Sequence, residues 1–395
     1  MIELLLVPAA GLTVALFGEK FKNKNDDKKK IQVFFEVAGI AIKRNNEEKL
    51  QYPKFQKQIE DDRSTTYVYT LPLGMPSKII QKVEDVVSEG LNKPVRIQYD
   101  NYKLNIRVFR REIPKNWSWS MDLVTKGKWR VPIGQSLEKL MYHDFDKTPH
   151  MTLGGLTRMG KTVFLKNVVT SLITAQPEHT HLYIIDLKGG LEFGPYKNLQ
   201  QVEQVAETPV QAFVVLENIL GKIEEKLQFM KENRYTNVVE TNIKERFFVI
   251  VDEGAELCPD KTMKEKQRKL LGACQQRLSH IARIGGALGF RLIFCTQYPT
   301  GDTLPRQVKQ NADAKLGFRL PTQTASEVVI DEPGLESIQS IPGRAIFKTD
   351  RLTEIQVPYI SDEMMWKHLK EYEVEKHEHP EPHENQPSDG DTCDD

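Results

Sequence analysis

The run Gly155-Leu156-Thr157-Arg158-Met159-Gly160-Lys161-Thr162 fits the spacing G-x-x-x-x-G-K-[ST]. That spacing suits one kind of chemistry. The glycines let successive backbone N–H groups turn toward phosphate oxygens, and the helix that follows adds the partial positive charge of its N-terminus. The lysine then reaches the β- and γ-phosphates, and the hydroxyl beside it ligates Mg2+. Both flanks agree with this use. The strand-like run MTLG precedes the loop, and the helical stretch TVFLKNVVTSLITAQ follows it. The expectation is an ATP site built on Gly155–Thr162, with Mg2+ held by Thr162.

A second group of residues tests the first. Phe247-Phe-Val-Ile-Val-Asp252-Glu253 is an unbroken apolar run that ends in two carboxylates. A strand apolar at every position suits the centre of a parallel sheet. Asp252, at its carboxyl end, is expected in the Mg2+ shell, and Glu253 is expected to polarise the attacking water. Gln297 closes another run, LIFCTQ, where an amide near the γ-phosphate could report hydrolysis. Asp186 closes LYIID, either to support the site or to cap the next turn.

A third group points to a cargo. Between Cys258 and Arg283 the acids are Asp260 and Glu265, against Lys261, Lys264, Lys266, Arg268, Lys269 and Arg277. These cations are expected either to hold nucleic-acid phosphates or to form a solvated helix face. No aromatic residues interleave with them, which favours tracking of a duplex backbone over stacking on bases.

The elements that must position these groups are legible in outline. MTLGG, LYIID, FFVIVDE, RLIFCTQ and AKLGFRL read as strands, and helical stretches alternate with them, so the fold class is α/β with a mainly parallel sheet. Upstream, TTYVYTLPLG, the helical stretch from Pro76 to Gly90, then VRIQYD and YKLNIRVFRREIP read as a small α+β domain. The chain is expected to divide into 1–30, an apolar stretch and charged linker; 31–115, the small domain; 116–360, the larger domain with the phosphate loop; and 361–395, a short helix and an acidic tail.

Composition sets the outer limits. With 395 residues, 39% hydrophobic, two or three domains with packed cores are expected. Four cysteines with no paired spacing exclude a disulfide scaffold and fit reduced cytoplasmic thiols. Lys plus Arg equals Asp plus Glu at 55 each, but residues 361–395 carry 12 acids against 3 bases, so that end is expected to be disordered. His377, His379 and His383 lack a scaffold for a metal site. Leu4–Gly18 is uncharged and followed by lysines. It is either an anchor at the inner face of the cell membrane or a buried or peripheral helix.

Taken together, GGLTRMGKT, LYIIDLKGG, RFFVIVDEGAEL and the stretch from LSHIAR to AKLGFRL resemble the FtsK/SpoIIIE family of DNA translocases. The resemblance covers about residues 64–350 and implies a RecA-like ATPase. Such subunits form a hexameric ring around DNA, with ATP at the interfaces. It further implies that Lys161, Thr162, Asp252, Glu253 and Gln297 serve one subunit's ATP, while an arginine, Arg319 or Arg283, arrives from the neighbour. Chromosomal members add several membrane spans and a DNA-reading winged helix, and the 37 residues after Pro358 are too few for the latter. The compact form resembles translocases of plasmids and integrative conjugative elements, which implies relaxase or transfer-channel partners. A protein-secretion ATPase and a nucleotide-binding scaffold are the alternative readings.

Overall fold

Strands that are apolar at every position must be covered on both faces, and that requirement sets the architecture of most of the chain. The computed structural model describes residues 27–43, 49–75, 77–297 and 299–375. They form two units: the described residues up to Pro114 with Gln135–Leu140, and Lys115–Gly134 with the described residues from Met141 onward. The apolar stretch 4–18, Cys393, the three tail histidines and the acidic residues from 376 on lie outside the described residues.

The smaller unit contains α1 (Asp27–Val37), β1 (Lys54–Glu60), β2 (Ser64–Thr70), α2 (Ser77–Leu91), β3 (Val95–Asp100) and β4 (Lys103–Phe109). Its four strands pair antiparallel in the order β1-β2-β4-β3. Ile31 and Phe35 of α1 and Val83 and Val87 of α2 pack on Tyr67, Tyr69, Leu104 and Ile106. Two segments differ from the sequence reading. Residues 27–30 begin a helix rather than end a linker. The charged run KFQKQIE is a strand, almost wholly exposed, at the edge of the sheet, where lysines and glutamates discourage pairing with another chain.

The larger unit holds β5 (Arg130–Gln135), β6 (Leu140–Asp144), β7 (Met151–Gly154), α3 (Lys161–Ala175), β8 (Thr180–Ile185), β9 (Val202–Ala206), α4 (Pro209–Glu232), β10 (Arg246–Val251), α5 (Glu265–Leu288) and β11 (Phe290–Thr296). It continues with α6 (Arg306–Asn311), β12 (Ala314–Phe318), α7 (Gln323–Ile330), β13 (Arg344–Lys348), β14 (Leu352–Gln356) and α8 (Asp362–Leu369). All ten strands join one sheet in the order β6-β5-β14-β13-β12-β7-β11-β10-β8-β9. From β12 to β9 every pairing is parallel, and β13 is antiparallel to both of its neighbours.

Alternation along β10 shows how the sheet is covered. Phe248 and Ile250 face a core with Phe164, Val168 and Leu172 of α3 and Leu369 of α8. Val249 and Val251 face a second core with Leu216 and Ile219 of α4 and Leu278 and Ile281 of α5. Each such side chain, fully buried, contributes roughly 1.5–3 kcal/mol. Local signals fix the helix starts: Thr208 and Gln211 form a reciprocal cap before α4, with Pro209 at its first position. Among the described residues no helix is long and apolar enough to cross a membrane.

Candidate nucleotide-binding site

The parallel pairing aligns strand ends that are far apart in sequence. Thr296 pairs with Gly154, Val251 with Phe294, and Val251 with Ile185. The residues that follow these strands therefore emerge along one edge: Gly155, Gln297, Asp252 and Asp186. Sites in parallel sheets form where the carboxyl ends of the strands face such a crevice.

The glycine-rich loop runs from β7 into α3. Gly160 stands at the helix N-cap with φ +113°, and no side chain caps the turn. A Cβ there would lie 3.1 Å from the Gly343 nitrogen, so both backbone conformation and space require glycine. The helices α4, α7 and α8, by contrast, each have a Thr or Ser side chain accepting from a first-turn N–H. The first amides of α3 thus remain free for an anion. Lys161 Nζ donates to the carbonyls of Gly155 and, at 3.1 Å, Leu156. Burial pushes its pKa down to about 8 against the pull of Glu253.

Asp252 and Glu253 are buried. Burial raises the pKa of both above the ordinary carboxylate range; Lys188 opposes the rise at Asp252, and the Gln297 N–H opposes it at Glu253. That N–H donates to Glu253 Oε1 at 3.1 Å, and Thr157 Oγ1 donates to Gln297 Oε1 at 3.0 Å. Gln297 therefore ties the phosphate loop to the carboxylate. Asp252 Oδ1 and Glu253 Oε2 are buried with no hydrogen-bond partner. Among the described residues no cluster of three or more His, Cys, Asp or Glu could hold a metal. With Thr162 the donor set is oxygen only, and it suits a hard cation that takes its remaining ligands from phosphates, as Mg2+ does.

Other residues complete the cleft, which encloses about 680 Å3 between the loop, Lys188, Gln297, Trp117, Ser118, Pro342, Gly343 and Tyr359. Lys188 was missed in the sequence; its Nζ donates to Asp252 Oδ2 at 3.0 Å. Burial alone would lower its pKa, and Asp252 holds it above the ordinary lysine value. Asp186 is fully buried and accepts the N–H groups of Lys188, Glu192 and Phe193, which makes it a cap for the turn after β8.

Several expected groups are not drawn into this cleft. The Arg319 carbonyl accepts from Leu156 N, yet its guanidinium donates to the Ile338 carbonyl. Arg283 is exposed and lines a separate groove with Gln276, Ser279 and Arg306. Lys261, Lys264, Lys266, Arg268 and Lys269 are exposed around the start of α5. Arg277 differs from the expectation of a free cation. It is ion-paired with Glu217 of α4, lies over the Phe213 ring and donates to the Ala273 carbonyl.

The strand order, the uncapped helix and the loop define a RecA-like P-loop ATPase domain. Residues 122–301 match the FtsK/SpoIIIE family model, and this part of the chain is similar to that family. DNA translocase FtsK of Chlorobaculum tepidum is 27% identical over 252 residues, covering 58% of this chain and 30% of that protein. DNA translocase FtsK of Leptospira interrogans is 25% identical over 409 residues, covering 93% of this chain and 41% of that protein. The chain therefore spans less than half the length of these relatives. Among solved structures, the pCW3 conjugation coupling protein TcpA, in its monomer form with ATPγS, aligns with a TM-score of 0.63 at 22% identity, over 88% of this chain and 99% of that one. ATPases 2 and 3 of EssC from Geobacillus thermodenitrificans align with a TM-score of 0.54 at 17% identity, over 66% of this chain and 51% of that one. Both likenesses are likenesses of fold.

Proposed function

We propose that this chain is an ATP-driven motor that moves DNA, and that it couples the DNA of a plasmid or integrative element to conjugative transfer. One observation carries the reading. The phosphate loop, Asp252, Glu253 and Gln297 come from separate parts of the sequence and meet at one sheet edge, with the buried Asp252 Oδ1 and Glu253 Oε2 accepting no hydrogen bond. A site that only held nucleotide would need the loop and its lysine; buried carboxylates beside them suit hydrolysis.

In this mechanism Lys161 exchanges its carbonyl partners for β- and γ-phosphate oxygens, and the first amides of α3 cradle the phosphates. Thr162 and Asp252 would hold Mg2+, which, when bound, would neutralise charge on the phosphates. Glu253 takes a proton from the attacking water, and its raised pKa suits that role. Trp117 and Tyr359 line the cleft and are assigned to the base. Arg283 is the better candidate to act on a neighbour's nucleotide, because Arg319 is committed to Ile338. That assignment calls for a ring of subunits.

The DNA contact is assigned to Lys261, Lys264, Lys266, Arg268 and Lys269. Lys269 is ion-paired with Glu265 of the first turn at 2.6 Å; the other cations gathered at the N-terminus of α5 oppose the helix dipole, an arrangement that an external anion relieves. The relatives named DNA translocases and the conjugation coupling protein of like fold support this cargo. The test is ATP turnover with and without plasmid DNA at low salt. DNA should stimulate turnover. Each alanine at Lys264, Lys266 or Arg268 should reduce the slope of log affinity against log salt by up to about 0.9. Intact nucleotide binding without any response to DNA would overturn the DNA reading and turn attention to a polypeptide cargo.

A further inference from the structure

Lys188 has no part in that mechanism, yet it occupies the most demanding position in the cleft. Its Nζ stands 3.0 Å from Asp252 Oδ2 and 3.7 Å from Glu253 Oε2. Among the described residues it is the cation that ion-pairs with both carboxylates. Lys161, the other lysine of the cleft, spends its ammonium on the carbonyls of Gly155 and Leu156. Lys188 thus sits on the oxygens that a divalent cation would use. An ammonium and a divalent cation repel each other strongly at such distances, so the two occupants exclude one another.

The loop is built to hold the backbone and release the side chain. The Lys188 N–H is fixed to Asp186 Oδ1 at 3.2 Å. The next residues, Gly189 and Gly190, have φ of +78° and +69°. A Cβ on Gly190 would fall 2.3 Å from the Glu207 carboxyl carbon. The side chain itself is 33% exposed, whereas those of Asp252 and Glu253 are 0% and 6% exposed. It also lines the same cleft as Lys161, Thr162 and Gln297, so a departing ammonium faces the space where phosphates bind.

We propose that Lys188 is the resident counter-ion of the nucleotide-free motor. It pairs with Asp252 and Glu253 until a metal–nucleotide complex arrives, and then yields its place. It is a positioning residue with a gating consequence: a free divalent cation is kept off the carboxylates, and the metal enters only with a polyphosphate that draws the ammonium away. The proposal rests on the nucleotide reading of the cleft.

The test is Mn2+ binding to the full chain, followed by electron paramagnetic resonance with no nucleotide present. Lys188→Met should bind Mn2+ at least about tenfold more tightly than the unaltered chain. Adding Asp252→Asn should abolish the gain, and Lys188→Arg should behave as the unaltered chain does. Equal Mn2+ affinity with and without Lys188 overturns the proposal, as does a gain that survives Asp252→Asn. Lys188→Gln serves if the methionine variant does not fold. Binding of a fluorescent ATP analogue in the presence of Mg2+ is measured beside it. Its absence from the unaltered chain would sink the nucleotide reading and leave the metal-only comparison standing.

Discussion

The two ends of the large sheet each hold a charge cluster, and the two are built on opposite terms. Where β10 and β11 begin, Asp146 accepts from Arg246 Nε at 2.8 Å and Nη2 at 3.2 Å, and from Arg291 Nη2 at 2.8 Å. Both arginines also donate to backbone carbonyls. Where the same strands finish, Asp252 and Glu253 share one lysine and keep oxygens without partners. Burial alone would raise the pKa of Asp146, but two guanidiniums overcome it and hold the group low. At the other end one ammonium does not overcome burial, and both carboxylates stay high. A carboxylate with its acceptors filled fastens the fold, while one left short of donors is available to a ligand.

The largest expected effect breaks the fastened end. Asp146→Ala strands two buried guanidiniums, and the unfolding free energy should fall by about 3–5 kcal/mol in urea titrations. Nucleotide binding by the folded fraction should persist. A loss too small to measure would remove the distinction between the ends. The open end answers differently. Glu253→Gln should slow ATP turnover about 100-fold while nucleotide binding and the melting temperature hold, and normal turnover would require another base.

Acid sharpens the contrast further. His143 and His150 are buried in the same unit, and burial holds the pKa of each at about 3. His150 Nδ1 accepts the Leu292 N–H at 2.9 Å. A histidine with a lowered folded pKa stabilises above its unfolded value, and that contribution is lost as pH falls toward the folded value. Stability should therefore decline from about pH 6.5 toward pH 3, by up to about 1.4 kcal/mol per pH unit for each histidine. His143→Phe should flatten that slope, and an unchanged slope would exclude His143 from it. The smallest effect concerns Asp252→Asn. Removing an under-paired buried charge should leave stability unchanged or raise it by about 1 kcal/mol, even as metal-dependent nucleotide binding is lost. A clear destabilisation would make Asp252 a fastener after all.

How much of this was legible depended on distance along the chain. The phosphate loop is local, and its glycines, lysine and hydroxyl stand in one run. Asp252 and Glu253 stood out because five apolar residues lead straight into them. Lys188 did not, because its partner Asp252 lies 64 positions away and nothing in D-L-K-G-G names it. Arg277 was read as free for the same reason, with Glu217 lying 60 positions away. Among the elements, β9, β13 and β14 are five-residue strands of mixed polarity. They become strands because the neighbouring strands offer unpaired backbone, which no local pattern announces. The strand β1 was hidden by its charges, and the start of α1 by the lysines of its first turn.

Gln297 has a mechanical consequence. Its side chain grips Thr157 while its backbone grips Glu253, and the chain beyond it leads by way of Pro299 to α6. If an incoming phosphate displaces Thr157, the amide either travels with it or breaks its 3.0 Å contact. If the contact holds, the displacement is passed to the start of that segment, and a change at one small oxygen becomes a pull on a lever many residues long; if it breaks, the segment is released from the loop.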